Sequence, residues 1–319
     1  MKKILCVLMS CLLFVMAGCS GHSKNLKFGA ADIGGVYYSF ASTFTQLADN
    51  EIDGYTFETK TTAGSVANLR LISDGYIDLA IVQADLLSDA YNATGTFADK
   101  KYQKGYKAVA SLYTECCQIV VRKDSGITGI DDLINKTVSV GASESGSEKN
   151  AEQILKMSGI TDELINKVNM DYTEAAEKLK AGEIDAFFCT AGTRTEVIGQ
   201  LSKECDICLI SLDDKCIDKM LSAYSLCEKY IIPAGTYNGQ DSDVTTIGVK
   251  SVLIAKQSLS DDVIKKVTKT IYEHADDFKY ATSLDISFDI NTAADGVDIP
   301  FHSGAAAYYA EHGINVLTE

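Results

Sequence analysis

The chain is 319 residues long, 46% hydrophobic and 23% charged, which is enough apolar material for a substantial core and lies outside the range of disordered chains. Its formal net charge is −15, and no basic run or aromatic-basic interleaving offsets it. A surface that acidic repels phosphate backbones, so no nucleic acid is expected as a partner.

The chain opens with Lys2 and Lys3, followed by an uncharged, mostly apolar run from Ile4 to Ala17. A membrane span needs about 20 helical residues, so this shorter run reads as an export signal. It ends Met16-Ala17-Gly18-Cys19, which is similar to the lipobox of bacterial lipoproteins. Residues 1–18 are therefore expected to be a signal peptide. Cys19 would be the lipidated N-terminus, and residues 19–25 a polar tether. The protein is expected outside the cytoplasm, anchored by lipid to the outer face of the cell membrane or in the periplasm.

From Leu26 onward β-rich apolar runs alternate with amphipathic stretches, the pattern of an α/β fold with a mainly parallel sheet. The pattern predicts strands at 26–30, 55–61, 76–82 and 106–112, with helices at 36–50, 65–74 and 85–92 between them. Residues 118–122 then run extended into a second unit. Its strands are predicted at 137–140, 168–171 and 184–189, and its helices at 147–157, 174–181 and 195–203. A connector follows at 230–244, containing the turn-rich Pro233-Ala234-Gly235-Thr236-Tyr237. A strand at 245–255 and one long amphipathic helix from Leu259 to Phe278, opened by Ser260, complete the reading.

The two units echo each other. Gly75-Tyr76-Ile77-Asp78 and Gly182-Glu183-Ile184-Asp185 each join a helix end to an apolar strand. Two similar lobes are expected, the first from 26–116 and 246–319, the second from 117–245. A ligand cleft would lie between them at the carboxyl ends of the strands, with the C-terminal helices packing on the first lobe. A monomer is expected.

Removing Cys6, Cys11 and Cys19 leaves seven cysteines, Cys116, Cys117, Cys189, Cys205, Cys208, Cys216 and Cys227, an odd number that cannot pair completely within one chain. Cys205 and Cys208 have CxxC spacing but enter a strand-like run, where positions i and i+3 face opposite ways. Adjacent Cys116 and Cys117 diverge for the same reason. Buried small hydrophobes are expected, with no metal and no cofactor. The histidines, His22, His274, His302 and His312, sit away from the strand-to-helix turns of either lobe. A Ser-His-Asp or Cys-His enzyme is therefore not expected.

Small-residue turns leading from strand to helix do recur, at Gly29 to Tyr37, at Thr61 to Asn68 and at Gly141 to Ser147, and Cys189 to Thr193 ends another strand. Each presents free backbone N–H groups and hydroxyls at a helix N-terminus, which suits an anion. Gly34, Gly35, Tyr37, Ser65 and Asn68 from the first lobe are candidate ligand contacts. Ser145, Gly146, Ser147, Thr190, Gly192 and Arg194 are candidates from the second. Arg70 is expected to pair with an acid at the lobe surface.

Gly34-Gly35-Val36-Tyr37-Tyr38, the segment Gly64 to Leu71, Ile77-Asp78-Leu79-Ala80 with Gln83-Ala84-Asp85, and above all Ile232 to Asp241 resemble the TAXI family of TRAP-transporter solute-binding subunits. Pro300 to Ala305 is similar to that family's C-terminal motif. The resemblance covers nearly the whole mature chain. It implies a type II periplasmic-binding-protein fold and delivery of a small carboxylate, glutamate, 2-oxoglutarate or a related acid, to an ion-driven TRAP permease. By motif position it implies ligand roles for Tyr37, Ser65, Asn68, Gln83, Ser145 and Gly192, and it favours Tyr37 over Tyr38. Ser39, Ser303, Glu144 and Arg194 depart from its pattern. The alternatives are a ligand-presenting subunit of a membrane sensor and an exported cysteine-dependent enzyme on the same scaffold.

Overall fold

A computed structural model describes residues 23–99, 102, 105–283 and 288–319; the expected signal peptide and Cys19 lie outside the described residues. Its sheet has the order β2-β1-β3-β10-β4-β7-β5-β6, with β8 added to β4 and β9 to β10. In the first lobe β1 (Lys24–Gly29), β2 (Tyr55–Lys60) and β3 (Leu79–Gln83) pair in parallel. In the second, β5 (Thr137–Ser139), β6 (Asn166–Val168) and β7 (Ala186–Ala191) do the same.

Two long antiparallel strands join the lobes, β4 (Tyr106–Arg122) and β10 (Val244–Lys256). The start of β4 lies against the end of β10, and its far half pairs with β7 and β8 (Ile207–Leu209). The strands expected at 106–112 and 118–122 are thus one element, because Thr114, Glu115 and Cys116 stay paired with β10 and Cys116 and Cys117 with β7. The β4–β10 ladder slips register between Lys250 and Val252 and again between Leu253 and Ile254, and such irregularities bend a strand.

The repeated Gly-x-Ile-Asp join does the same work in both lobes. Asp78 accepts the Lys27 N–H at 2.9 Å and donates its own N–H to the Lys27 carbonyl. Asp185 accepts the Thr137 N–H at 2.8 Å and donates its own N–H to the Thr137 carbonyl. Each aspartate therefore stitches the third parallel strand of its lobe to the first.

Helices α1 (Val36–Glu51), α2 (Ser65–Ser73) and α3 (Ala84–Asn92) cover the first lobe, and α4 (Gly146–Met157), α5 (Tyr172–Ala181) and α6 (Glu196–Glu204) the second. The pattern missed α7 (Asp214–Ala223), whose signal was the Asp213 cap on the Cys216 N–H and the buried Cys216, Ile217 and Met220. It also missed β9 (Cys227–Ile232), the start of the expected connector.

The long helix expected at 259–278 is two: α8 (Asp261–Glu273) and α9 (Ala275–Thr282). His274 leaves the helical conformation, and its ring bridges Glu51 and Asp277. These helices pack on α1, where Phe40 stacks on Phe278 with centroids 4.4 Å apart. His302 caps the final helix α10 (Ser303–Glu311), its Nδ1 accepting the Gly304 N–H at 3.1 Å.

Candidate functional site

The turns from β1 into α1 and from β5 into α4 have the same geometry. Gly35 donates its N–H to the Asp32 carbonyl, and Ser145 donates its N–H to the Ala142 carbonyl, both at 3.1 Å. Gly35 (φ −89°, ψ 159°) and Ser145 (φ −88°, ψ 163°) then cap their helices in the same extended conformation. The turn into α2 needs Gly64 itself, because its φ is +118°. First-turn N–H groups lack intrahelical acceptors, so α1, α2 and α4 each point donors and a positive dipole end out of the helix.

All three ends open on one chamber between the lobes, with a free volume of about 30 Å³ for water centres. That is room for about two or three waters as the lobes stand. Asp32, Gly35, Tyr37, Gly64, Ser65, Gln83 and Glu115 line it from one side, and Ser145, Gly146, Ser147, Tyr172 and Thr190 from the other. Among the described residues no lysine, arginine or histidine lines it.

The polar groups form two linked sets. Tyr37 donates to Glu115 Oε2 at 3.1 Å, and Gln83 Nε2 donates to the same oxygen at 3.1 Å. Gln83 Nε2 also donates to Asn150 Oδ1 of α4 at 3.0 Å, across the cleft. Opposite, Ser147 Oγ accepts the Thr190 N–H at 2.8 Å and lies 2.6 Å from the Tyr172 hydroxyl, which donates to the Thr190 carbonyl. Among the described side chains that line the chamber, Gln83 Oε1 and Thr190 Oγ1 are buried without a hydrogen-bond partner.

Burial governs the acids. It pushes the Glu115 carboxyl up to about 8, against the hydrogen bonds from Gln83 and Tyr37 that lower it. It pushes Asp32 up to about 6, with Asp171 adding to the effect. Asp85, at the start of α3, is raised by burial to about 6.

The lobes touch closely. Arg70 of α2 forms a two-pronged pair with Glu144, Nε to Oε1 at 3.1 Å and a terminal nitrogen to Oε2 at 2.6 Å. The Ala67 N–H donates to the Glu144 carbonyl at 3.1 Å. The acid expected for Arg70 is thus on the other lobe. Side-chain exposures of 35% and 40% weaken the pair through screening, so Arg70→Ala is expected to weaken solute affinity about three- to fivefold, from ~1 kcal/mol. The loss should shrink in 0.5 M salt, which calorimetric titration at two salt concentrations would read.

Of the twelve residues expected from sequence to touch ligand, eight line the chamber: Gly35, Tyr37, Ser65, Gln83, Ser145, Gly146, Ser147 and Thr190. The other four stand elsewhere. Asn68 is fully buried behind the wall, where its amide donates to the carbonyls of Ala30 and Ile81 and accepts from Thr62, fixing the α2 turn to the sheet. Gly34 and Arg194 line a separate open groove beside Ser39, and the Gly192 carbonyl is taken by the Thr195 hydroxyl. Sequence reasoning missed Glu115 and Tyr172. Glu115 had a signal, a lone acid within the apolar run of β4.

Cys116 and Cys117 fall into different hydrophobic clusters, as their alternation requires. All seven described cysteines are free, and among the described residues no acidic, histidine and cysteine cluster is arranged to hold a metal. No helix of the described residues is long and apolar enough to cross a membrane.

The model of the NMT1-like family matches residues 28–313. Among solved structures, PhnD1 from Prochlorococcus marinus in complex with methylphosphonate is 12% identical with a TM-score of 0.58, over 83% of this chain and 93% of that one. A binding protein component of an ABC phosphonate transporter from Pseudomonas aeruginosa is 11% identical with a TM-score of 0.54, over 81% and 78%. A putative L-cystine ABC transporter protein from Listeria monocytogenes is 14% identical with a TM-score of 0.52, over 82% and 94%. At these identities the likeness is one of fold, and that fold is the two-lobed α/β architecture expected from the sequence.

Proposed function

The chain belongs to the NMT1-like family, and from that membership and the inter-lobe chamber we propose that it is an extracytoplasmic solute-binding protein, held at the membrane by lipid on Cys19. It captures a small carboxylate, such as glutamate, 2-oxoglutarate or a related acid, and delivers it to an ion-driven permease of the TRAP type. The observation that carries the reading is the convergence of three helix N-termini, drawn from both lobes, on one small chamber. Phosphonate and amino-acid binding proteins share the fold, which is consistent with a compact, polar solute.

The magnitudes are sufficient without a guanidinium. Hydrogen bonds to a charged group contribute about 1.5 to 3 kcal/mol each and a helix N-terminus ~0.3 to 1. Five or six such contacts, less ordering costs, reach about −8 kcal/mol, a micromolar dissociation constant.

The cysteine-dependent enzyme has little support. Burial raises the Cys116 and Cys189 thiols well above their ordinary range and lifts Cys117 to about 12, which disfavours a reactive thiolate at these three positions.

A thermal-shift screen of the purified protein against amino acids, 2-oxo acids and dicarboxylates tests the reading. An acid at 100 times its dissociation constant stabilises the folded state by ~2.7 kcal/mol. A hit with no turnover supports a binding protein, whereas silence across the panel after denaturation and refolding removes the carboxylate assignment.

A further inference from the structure

Among the described residues, two carboxyl groups and no base line the chamber that is to hold an anion, and Glu115 is the more deeply buried of the two. Its Oε2 accepts hydrogen bonds from Tyr37 and Gln83, an arrangement open to a carboxylate and to a protonated acid alike, and Oε1 is the oxygen that would carry a proton. The titratable groups facing it from each neighbouring element offer no positive charge. They are Tyr113 and Cys116 on β4, Tyr37 on α1, Asp85 on α3, Tyr172 on α5, Cys189 on β7 and, in the β1–α1 turn, Asp32. The tyrosines and thiols among them are held neutral by burial.

An ionised Glu115 would meet the carboxylate of the solute as a like charge in a dry site, and like charges that close cannot both ionise. A protonated Glu115 reverses the sign of the contact, because a carboxylic acid donates a short, charge-assisted hydrogen bond to a carboxylate.

We propose that Glu115 binds the solute as a neutral acid, donating its proton in a hydrogen bond to the solute's carboxylate, so that one proton is carried into the closed chamber with each anion. The proton comes from solvent whenever Glu115 is ionised in the free protein, and it returns there on release. Burial that favours the uncharged form acts in the same direction. Glu115 is thereby a specificity residue: it selects an anion over a neutral amide, and it rejects a solute that presents only a donor there. This inference rests on the carboxylate reading above.

The test is calorimetric titration of the full protein with 2-oxoglutarate, succinate and L-glutamate at pH 7 and pH 9, in buffers of different ionisation enthalpy. Affinity of the wild type is expected to fall about tenfold or more from pH 7 to pH 9, with net proton uptake at pH 9. Glu115→Gln, which keeps a donor at the same place, should bind with the same affinity at both pH values. Binding of an acid by the wild type with no pH slope and no proton uptake overturns the role of Glu115 and leaves the carboxylate reading standing. Affinity that rises with pH, with proton release, overturns it in favour of an ionised Glu115 facing an ammonium. No binding by any of the three acids removes both.

Discussion

Gly146→Val is expected to weaken solute binding at least 100-fold while leaving both lobes folded. Gly146 opens α4 in the second lobe, and a Cβ built on it would lie 2.4 Å from Cδ and Oε1 of Gln83 in the first. Its φ is not in the left-handed region, so the helix itself tolerates a side chain. The clash exists only when the lobes meet. A retreat of Gln83 would break its amide's bonds to Glu115 and Asn150, while its backbone N–H is held by Ser65. Overpacking of this kind costs about 1 to 3 kcal/mol for one or two methylenes, and valine adds three carbons. About 3 kcal/mol is a factor of 100 in affinity. Calorimetric titration reads the loss, and urea unfolding checks that each lobe keeps its stability. Wild-type affinity in a folded Gly146→Val protein would show that the closed arrangement is not the binding form.

The second large effect is a stability that falls with rising pH, unusual for a protein so rich in acids. Burial raises the folded-state pKa of Glu115 to about 8 from an ordinary value of 4.5. Asp32 and Asp85 rise to about 6 from 3.8. In each case the folded state holds protons that the unfolded state has released, so the contribution is fully present below the unfolded value and is lost as pH climbs through the folded one. The aspartates act below about pH 6. Between pH 6.5 and 8 the slope belongs mainly to Glu115, at up to about 1.4 kcal/mol per pH unit. His302, lowered by burial, works the other way below its ordinary 6.5, and the half-exposed His274, raised by Asp277 and Glu51, contributes weakly in the same sense as Glu115. Urea midpoints measured from pH 6.5 to 8 in saturating solute, which keeps the lobes closed, should therefore fall in the wild type and stay nearly flat in Glu115→Gln. A flat wild-type profile would mean that water reaches Glu115.

The parts of the fold legible in the sequence were those set by short-range chemistry. The paired Gly-x-Ile-Asp joins announced two lobes because an aspartate that stitches strand to strand must sit at a fixed place after a helix cap, and Asp78 and Asp185 do so at nearly the same distances. The small-residue turns announced helix N-termini, and seven of the residues picked within them line the chamber, with Gln83, picked by motif position, as the eighth. What the sequence hid depends on how distant segments meet. Glu115 and Tyr172 become chamber walls only when β4 and α5 face the α1 and α2 ends, which no local pattern encodes. Asn68 was read as a contact because it follows the α2 turn, yet its amide points inward to hold the turn itself. Gly34 and Arg194 sit in the right loops but on the outer side of them. His274 broke a periodicity that continues on both sides of it, since its ring finds Glu51 on α1.

A small acid is expected to close the two lobes on one another, and small-angle scattering with and without the acid reads that closure. Addition of the acid identified by thermal shift should reduce the radius of gyration of the wild type to that calculated from the closed structure and leave Gly146→Val unchanged. An acid that binds the wild type tightly without altering its scattering from an open form, or that compacts Gly146→Val equally, would contradict it.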